Sequence, residues 1–381
     1  MKKKILAFSV GRSDYDRYYP ILNEINNNKK LDLKLLLSSV HFLKYFGETY
    51  KFIDKKFDCF PRLKKIKIKN LPDIVNKDSK IIISQINKFK PDVILVLGDR
   101  FEMLNAAYLG TFYNIPIVHF YGGSVTEGAI DNNIRNAITK LSHFHFVAHK
   151  DYKKRLIKMG EDQNRVTVTG IHELEKIKNY KTLSKIKFLK KYGLDTKFKI
   201  ALVNFYPETL SNISTIIQIR NLLNFLKKNQ VQSIFTYPNM DNDYNIIVSE
   251  IKNYIKKNKS IKNIFIKNSG IDNYINLLKN CDFMIGNSSS GIVEAASFNL
   301  PVINIGDRQK GKVMNLNIFH SDYRLISIDK SYKRIKSKYF EKEYKNFKNV
   351  YLPNISLSKV VKIIKNIANN KNKFIKKKTI N

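Results

Sequence analysis

Short, continuously apolar runs alternate with segments of 3.6-residue period along most of this 381-residue chain. A run such as Val93–Leu97, apolar at every position, suits a strand covered on both faces, as in a parallel sheet sandwiched between helices. Ile5–Val10, Leu31–Leu37, Ile115–Phe120, Phe144–Ala148 and Val166–Thr169 read as strands too. Between them, Tyr18–Asn27, Phe42–Phe52, Ile81–Phe89, Ala106–Tyr113, Asn133–Leu141 and Asp151–Met159 read as helices. After a lysine-rich connection over Glu173–Tyr192 the rhythm restarts. Strands are expected at Ile200–Phe205, Ser233–Thr236, Asn263–Ile266, Phe283–Ile285 and Val302–Ile305, and helices at Ser214–Lys227, Asn245–Lys257 and Asp272–Asn280. The pattern predicts two α/β units in tandem, each a Rossmann-like doubly wound parallel sheet. We place them at residues 1–175 and 176–366, with the last helix free to pack back on the first unit and a basic tail over 367–381. Ligands of such sheets bind beyond the carboxyl ends of the strands, so two facing units imply an interdomain cleft lined by strand-end loops.

Composition removes other classes. With 43% hydrophobic residues and only 15 Gly and 9 Pro, the chain is neither disordered nor collagen-like. Cys59 and Cys281 are far apart and form no CxxC or Cys/His pattern, which argues against a disulfide scaffold and a zinc module and fits the cytoplasm. No run of about 18 apolar residues is present, so membrane insertion is not expected. The apolar stretch after Met1-Lys2-Lys3-Lys4 is short for a signal peptide and reads as the first strand. The formal charge is +37, from 69 Lys and Arg against 32 Asp and Glu. The lysines are scattered among asparagines and isoleucines, with dense runs only at Lys64–Lys69 and Lys371–Lys378, so a solvated basic face is expected and no specific nucleic-acid partner.

The informative polar residues follow the strands. Gly11-Arg12-Ser13-Asp14 puts Arg12 where it could reach a phosphate, although the segment also reads as a capped loop. Gly98-Asp99-Arg100-Phe101-Glu102 places three charges directly after a buried run. Asp99 is then either a helix N-cap or a carboxylate offered to a ligand. Gly122 and Gly123 would let backbone approach a ligand closely. Ser124-Val125-Thr126-Glu127 resembles a capping box, and Asp131 and Arg135, four apart, share a helix face and can pair. Glu127 and Asp131 are candidates for proton transfer. The sharpest signal is Gly286-Asn287-Ser288-Ser289-Ser290-Gly291 followed by Ile292-Val293-Glu294. A strand, a Gly/Ser loop and a helix start in that order suit an anion, with Glu294 in the first turn able to accept from a sugar hydroxyl. Arg308 and Lys310 add charge after the strand Val302–Ile305, and together these loops favour a nucleoside-diphosphate ligand held without a P-loop.

Taken together, these segments resemble the UDP-N-acetylglucosamine 2-epimerase family, most closely its hydrolysing branch, over roughly Lys4 to Asn366. The resemblance is carried by Leu97–Glu102, Val125–Asp131, Ile134–Lys140, Pro207-Glu208-Thr209-Leu210, Ile285–Gly291 and Asn304–Gly311. It implies a GT-B-like pair of domains, a homodimer, and a place in sialic- or legionaminic-type acid synthesis for surface polysaccharide. It also implies elimination of the nucleotide to a glycal and addition of water, giving an N-acetylmannosamine-type sugar from UDP-GlcNAc or a UDP- or GDP-linked 2,4-diacetamido sugar. No redox cofactor or metal is expected. By resemblance Asp99 and Asp131 match catalytic positions, Arg12, Ser289, Ser290 and Glu294 match nucleotide-binding positions, and Arg308 follows them. Arg100, Gly122, Gly123, Arg135 and Gly291 complete the expected substrate-binding set.

The chain departs from the family pattern. Tyr121 and Ser124 stand where glutamates are expected, Tyr206 replaces the His before Pro207-Glu208, and Asn136 replaces the His after Arg135. Glu127 could then stand in as a base, and Tyr206 or Tyr121 as a proton donor. A GT-B glycosyltransferase, an epimerase that retains its nucleotide, and a nucleotide-sugar binding protein with weak or no catalysis are the alternatives.

Overall fold

The computed structural model describes all residues except 45–46, 62–70, 128–130, 209–210, 239–242, 268, 338–346 and 378–381, and only the backbone of 12, 13 and 71. The basic run Lys64–Lys69 lies outside the described residues. The chain divides into two compact units. One comprises Met1–Ser124, Ile130–Glu173 and Tyr351–Asn381; the other comprises Val125–Ala129 and Leu174–Val350.

The first unit is built on seven parallel strands, β1 (Lys3–Ser9), β2 (Leu31–Leu37), β3 (Asp58–Phe60), β4 (Val93–Leu97), β5 (Ile117–Phe120), β6 (Phe144–Val147) and β7 (Val166–Val168), in the order β3-β2-β1-β4-β5-β6-β7. Every residue of β4 is buried, as its unbroken apolar sequence requires. Four helices of this unit flank the strand-end loops: α1 (Arg12–Asn26), α2 (Leu71–Phe89), α3 (Phe101–Phe112) and α4 (Asp131–Leu141). Helix Leu357–Asn369 packs against α1, β1 and β4. The second unit repeats the plan with β8 (Ile200–Asn204), β9 (Gln232–Thr236), β10 (Asn263–Ile266), β11 (Phe283–Gly286), β12 (Val302–Ile305) and β13 (Ile318–Ser321), in the order β10-β9-β8-β11-β12-β13. Strand order reverses between β1 and β4 and again between β8 and β11, and crevices of this fold open beyond those strand ends.

Some elements differ from the sequence reading. Among the described residues, the stretch expected as one helix over Phe42–Phe52 holds the single turns Ser39–Phe42 and Thr49–Phe52, with Gly47 at φ +85° between them. Helix α2 starts ten residues before its apolar periodicity becomes clear at Ile81, and β3 and β13 are too short to stand out as apolar runs. Residues 367–377, read as a basic tail, finish helix Leu357–Asn369 and add a short helix, Lys371–Ile375.

Candidate active site

In the first unit the loop after β1 is closed by Asp14. Its carboxylate accepts from Ser9 Oγ at 2.8 Å, Val10 N at 2.9 Å and Gly11 N at 2.6 Å. Burial raises this carboxyl to about 6, against the hydrogen bonds that favour its ionised form. Folding therefore takes up a proton, and Asp14 contributes stability that is present below the ordinary value of 3.8 and lost as pH rises through about 6. Between pH 4 and 7 the wild-type protein is expected to lose about 3 kcal/mol that D14N retains, a difference urea melts would register. The sequence reading did not single out Asp14, although an Asp three residues after a strand-end Gly is a capping signal. Arg12 opens α1, and its side chain lies outside the described residues.

Gly98, at φ +79°, turns the chain out of β4, and Asp99 comes next. Asp99 does not cap the helix, because α3 starts at Phe101 with Arg100 in the cap position. Its carboxylate is instead gripped by Nη2 of Arg135, a side chain only 2% exposed, whereas Asp99 is 32% exposed. Arg135 Nη1 also donates to the Ser124 carbonyl at 2.7 Å and to Asn132 Oδ1 at 3.4 Å. The sequence offered Asp131 as the partner of Arg135; the strand-end carboxylate takes the guanidinium through a contact 36 residues apart in the chain. Arg100 is exposed and makes an ion pair at 3.5 Å with Glu102, which is buried and whose carboxyl is raised by that burial.

Gly122 and Gly123 are required by their own unit. A Cβ on Gly122 would stand 2.9 Å from His119 Nδ1, and one on Gly123, at φ +77°, would stand 2.7 Å from the Tyr152 carbonyl. His119, fully buried, places Nε2 2.8 Å from the Gly98 carbonyl, and burial pulls its imidazole down to about 3. The ring is therefore a neutral brace between the β4 and β5 loops. Tyr121, between His119 and the glycines, is buried with φ +65°. No helix begins at Ser124, so the capping-box reading fails there. Glu127 lies in the segment that belongs to the second unit, 3.5 Å from Lys310 Nζ, whereas Asp131 starts α4 in the first. Both carboxylates are expected candidates for proton transfer, and they are carried by different units.

In the second unit β8, β11 and β12 lie side by side, with Gly286 in register with both Asn204 and Asn304. Gly286 has φ +143°, and a Cβ there would meet the Asn204 carbonyl at 2.0 Å, so only glycine lets β11 end this way. Asn287, fully buried, ties the loops together. Its side chain accepts from Tyr206 N and donates to the Tyr206 carbonyl, both at 2.8 Å, while its carbonyl accepts from Gln309 Nε2 at 2.8 Å and Arg308 Nη1 at 3.3 Å. Ser288 caps the short helix Ser289–Val293, accepting from Ser290 N at 3.2 Å. Ser290 Oγ accepts from Tyr274 Oη at 2.6 Å, and Tyr274 in turn accepts from Asn204 Nδ2 at 2.7 Å. Gly291 packs on Val302, and Glu294 is buried at the C-terminal end of that helix, not in its first turn. Glu208 accepts from Tyr323 Oη and from the N–H groups of Asp307 at 3.1 Å and Arg308 at 3.0 Å, which fixes the loop after β12. Thr209, Leu210 and residues 128–130 lie outside the described residues. Asn287, Tyr274 and Asn204 were not singled out individually; asparagines at strand ends are common, and their role emerges only when three strands meet. Among the described residues no group of three or more His, Cys, Asp or Glu could hold a metal ion, and no helix is long and apolar enough to cross a membrane.

Two Rossmann-type units in tandem, with polar loops at the strand-order reversals, define a GT-B-like α/β protein. The family profile described as UDP-N-acetylglucosamine 2-epimerase matches residues 23–365. The GDP/UDP-N,N'-diacetylbacillosamine 2-epimerase (hydrolyzing) of Campylobacter jejuni is 37% identical over 353 residues, 89% of each chain. The UDP-N,N'-diacetylbacillosamine 2-epimerase (hydrolyzing) of Legionella pneumophila is 35% identical over 333 residues, 84% of this chain and 86% of its own. A solved UDP-GlcNAc 2-epimerase from Neisseria meningitidis, bound to UDP-GlcNAc, superposes with a TM-score of 0.74 at 17% identity, covering 96% of this chain and 100% of that one. The chain belongs to the UDP-N-acetylglucosamine 2-epimerase family.

Proposed function

We propose that this chain is a hydrolysing 2-epimerase of a nucleoside-diphosphate-linked 2,4-diacetamido sugar of the N,N'-diacetylbacillosamine type. The observation that carries the reading is the 37% and 35% identity, over most of the chain, to relatives named for that reaction. The reaction removes the proton at C2 as the C1–oxygen bond to the diphosphate breaks, leaving a glycal. Water then supplies hydroxyl to C1 and a proton to the opposite face of C2, releasing nucleoside diphosphate and the epimerised sugar.

The residues divide these steps by chemistry. Asp99, aimed and charge-balanced by Arg135, is suited to exchange the C2 proton, and Asp131 and Glu127 are the further carboxylates proposed for proton transfer. Arg12, Arg100, Ser289, Ser290 and Arg308 offer donors to a diphosphate leaving group, whose negative charge grows as the bond breaks. Gly291 lets the serine loop pack close to β12, and Glu294 is proposed to accept from a ligand hydroxyl. The family likeness favours a homodimer, and a sequence with two cysteines far apart suits a cytoplasmic protein.

Incubation with UDP- and GDP-linked diacetamidobacillosamine and with UDP-GlcNAc, followed by NMR of the sugar and assay of free nucleotide, tests the reading. Nucleotide release with inversion at C2 and deuterium entering C2 from D2O is expected. Failure to release nucleotide from any of the three substrates would refute it.

A further inference from the structure

Tyr206 lies two residues beyond the end of β8, with a hydroxyl that the sequence alone offers as a proton donor. The geometry points elsewhere. We infer that the Tyr206 ring is a platform that positions the Arg308 guanidinium for a nucleotide diphosphate, so that Tyr206 is a positioning residue. The inference rests on the nucleotide-sugar reading above.

The guanidinium carbon of Arg308 lies 5.1 Å from the centroid of the Tyr206 ring, within the range in which a cation is attracted to an aromatic face. Both partners are fixed from behind. Tyr206 is clamped at its own N–H and carbonyl by the single side chain of Asn287, each contact 2.8 Å, so its backbone has no freedom to slide along the loop. Arg308 is fixed by its N–H on Glu208 Oε2 at 3.0 Å and by Nη1 on the Asn287 carbonyl at 3.3 Å. Asn287 thus holds the backbone that carries the ring and one edge of the cation at once, and the Ser288–Gly291 turn begins at the next residue. An arginine side chain loses up to about 2 kcal/mol of rotamer entropy when it is immobilised on a ligand. Stacking on a rigid ring removes much of that freedom before the ligand arrives.

The test is UDP affinity by calorimetry, with GDP as the second probe, on full-length protein whose melting is followed in parallel. Tyr206→Leu is expected to weaken nucleotide binding about fivefold, and Tyr206→Phe, which keeps the ring, to restore it. In an Arg308→Gln background Tyr206→Leu should add no further loss, because the ring then has no cation to hold. Equal losses from Tyr206→Leu with and without Arg308 would overturn the inference. So would a Tyr206→Phe protein that binds UDP normally but turns over about 10²-fold more slowly, since that result assigns the hydroxyl to proton transfer. A wild-type protein that binds neither UDP nor GDP removes the nucleotide reading and this inference with it, whereas normal wild-type binding unaffected by Tyr206→Leu removes only the platform.

Discussion

Asp99→Asn is expected to slow nucleotide release by about 10²–10⁴-fold, the usual contribution of a positioned general acid or base. The substitution keeps the shape and an oxygen able to accept from Arg135, so the lost quantity is the carboxylate's charge and basicity. Some stability goes with it. Arg135 is 2% exposed, and a buried guanidinium deprived of its counter-charge is costly, by about 3–5 kcal/mol for a fully buried pair. Asp99 is 32% exposed, so solvent softens that penalty here. Rates should accordingly be measured well below the melting transition, with UDP binding as a check that the second unit is intact. A D99N protein that stays folded and releases nucleotide at the wild-type rate would show that the C2 proton goes elsewhere, with Asp131 the next carboxylate to test.

The second large effect lies at the chain's C-terminal end. Helix α4 carries Asp131 and Arg135, and its last carbonyls have no partner within the helix. Lys377 Nζ donates to the carbonyls of Thr139 at 3.3 Å, Lys140 at 2.8 Å and Ser142 at 2.9 Å, and to Glu161 Oε1 at 2.9 Å. Glu161 is 3% exposed; burial opposes its charge, but His145 and Lys377 outweigh burial and hold the carboxyl down to about 2. Lys377→Met keeps the length of the side chain and removes the charge. It should cost about 3 kcal/mol, the lower end for breaking a buried pair because Lys377 is 25% exposed. For a unit of this size that corresponds to a melting temperature lower by about 6–12 °C in calorimetry. The sign with pH comes from the depressed carboxyl. Its contribution is present above 4.5 and lost as pH falls toward about 2, so wild type and K377M should converge in acid. Equal melting temperatures at neutral pH would mean that this contact is solvated and carries no stability.

Lys377 also shows what a linear reading misses. From composition, Lys371–Lys378 is a basic run destined for solvent. In the fold Arg165 Nη1 donates to the Phe374 carbonyl at 2.8 Å, and the Phe374 ring stands 6.3 Å from that of Phe144, so the segment is sewn onto the first unit. Nothing near Lys377 in sequence announces Glu161, because the pairing spans 216 residues. Arg135 teaches the same lesson in the other direction. Helical spacing offered Asp131, four residues back, but tertiary packing brought Asp99, whose charge balances a guanidinium that had to be buried. The glycine pair 122–123 is legible in the sequence as special, and the fold adds a demand that chain order does not show, the close approach of His119 and Tyr152 within the unit.

Local sequence is enough to give the two-sheet α/β architecture and to mark the polar loops that follow its strands. Strand hydrophobicity, helical period and strand-end glycines are local properties, and a parallel sheet forces polar residues after each strand to one edge. The partner of each charge was decided only by the tertiary structure: Arg135 on Asp99, Lys377 on Glu161, Arg308 over Tyr206. Electrostatic and cation–π contacts act across space between residues tens to hundreds of positions apart, and chain order holds no record of those distances until the sheets are assembled.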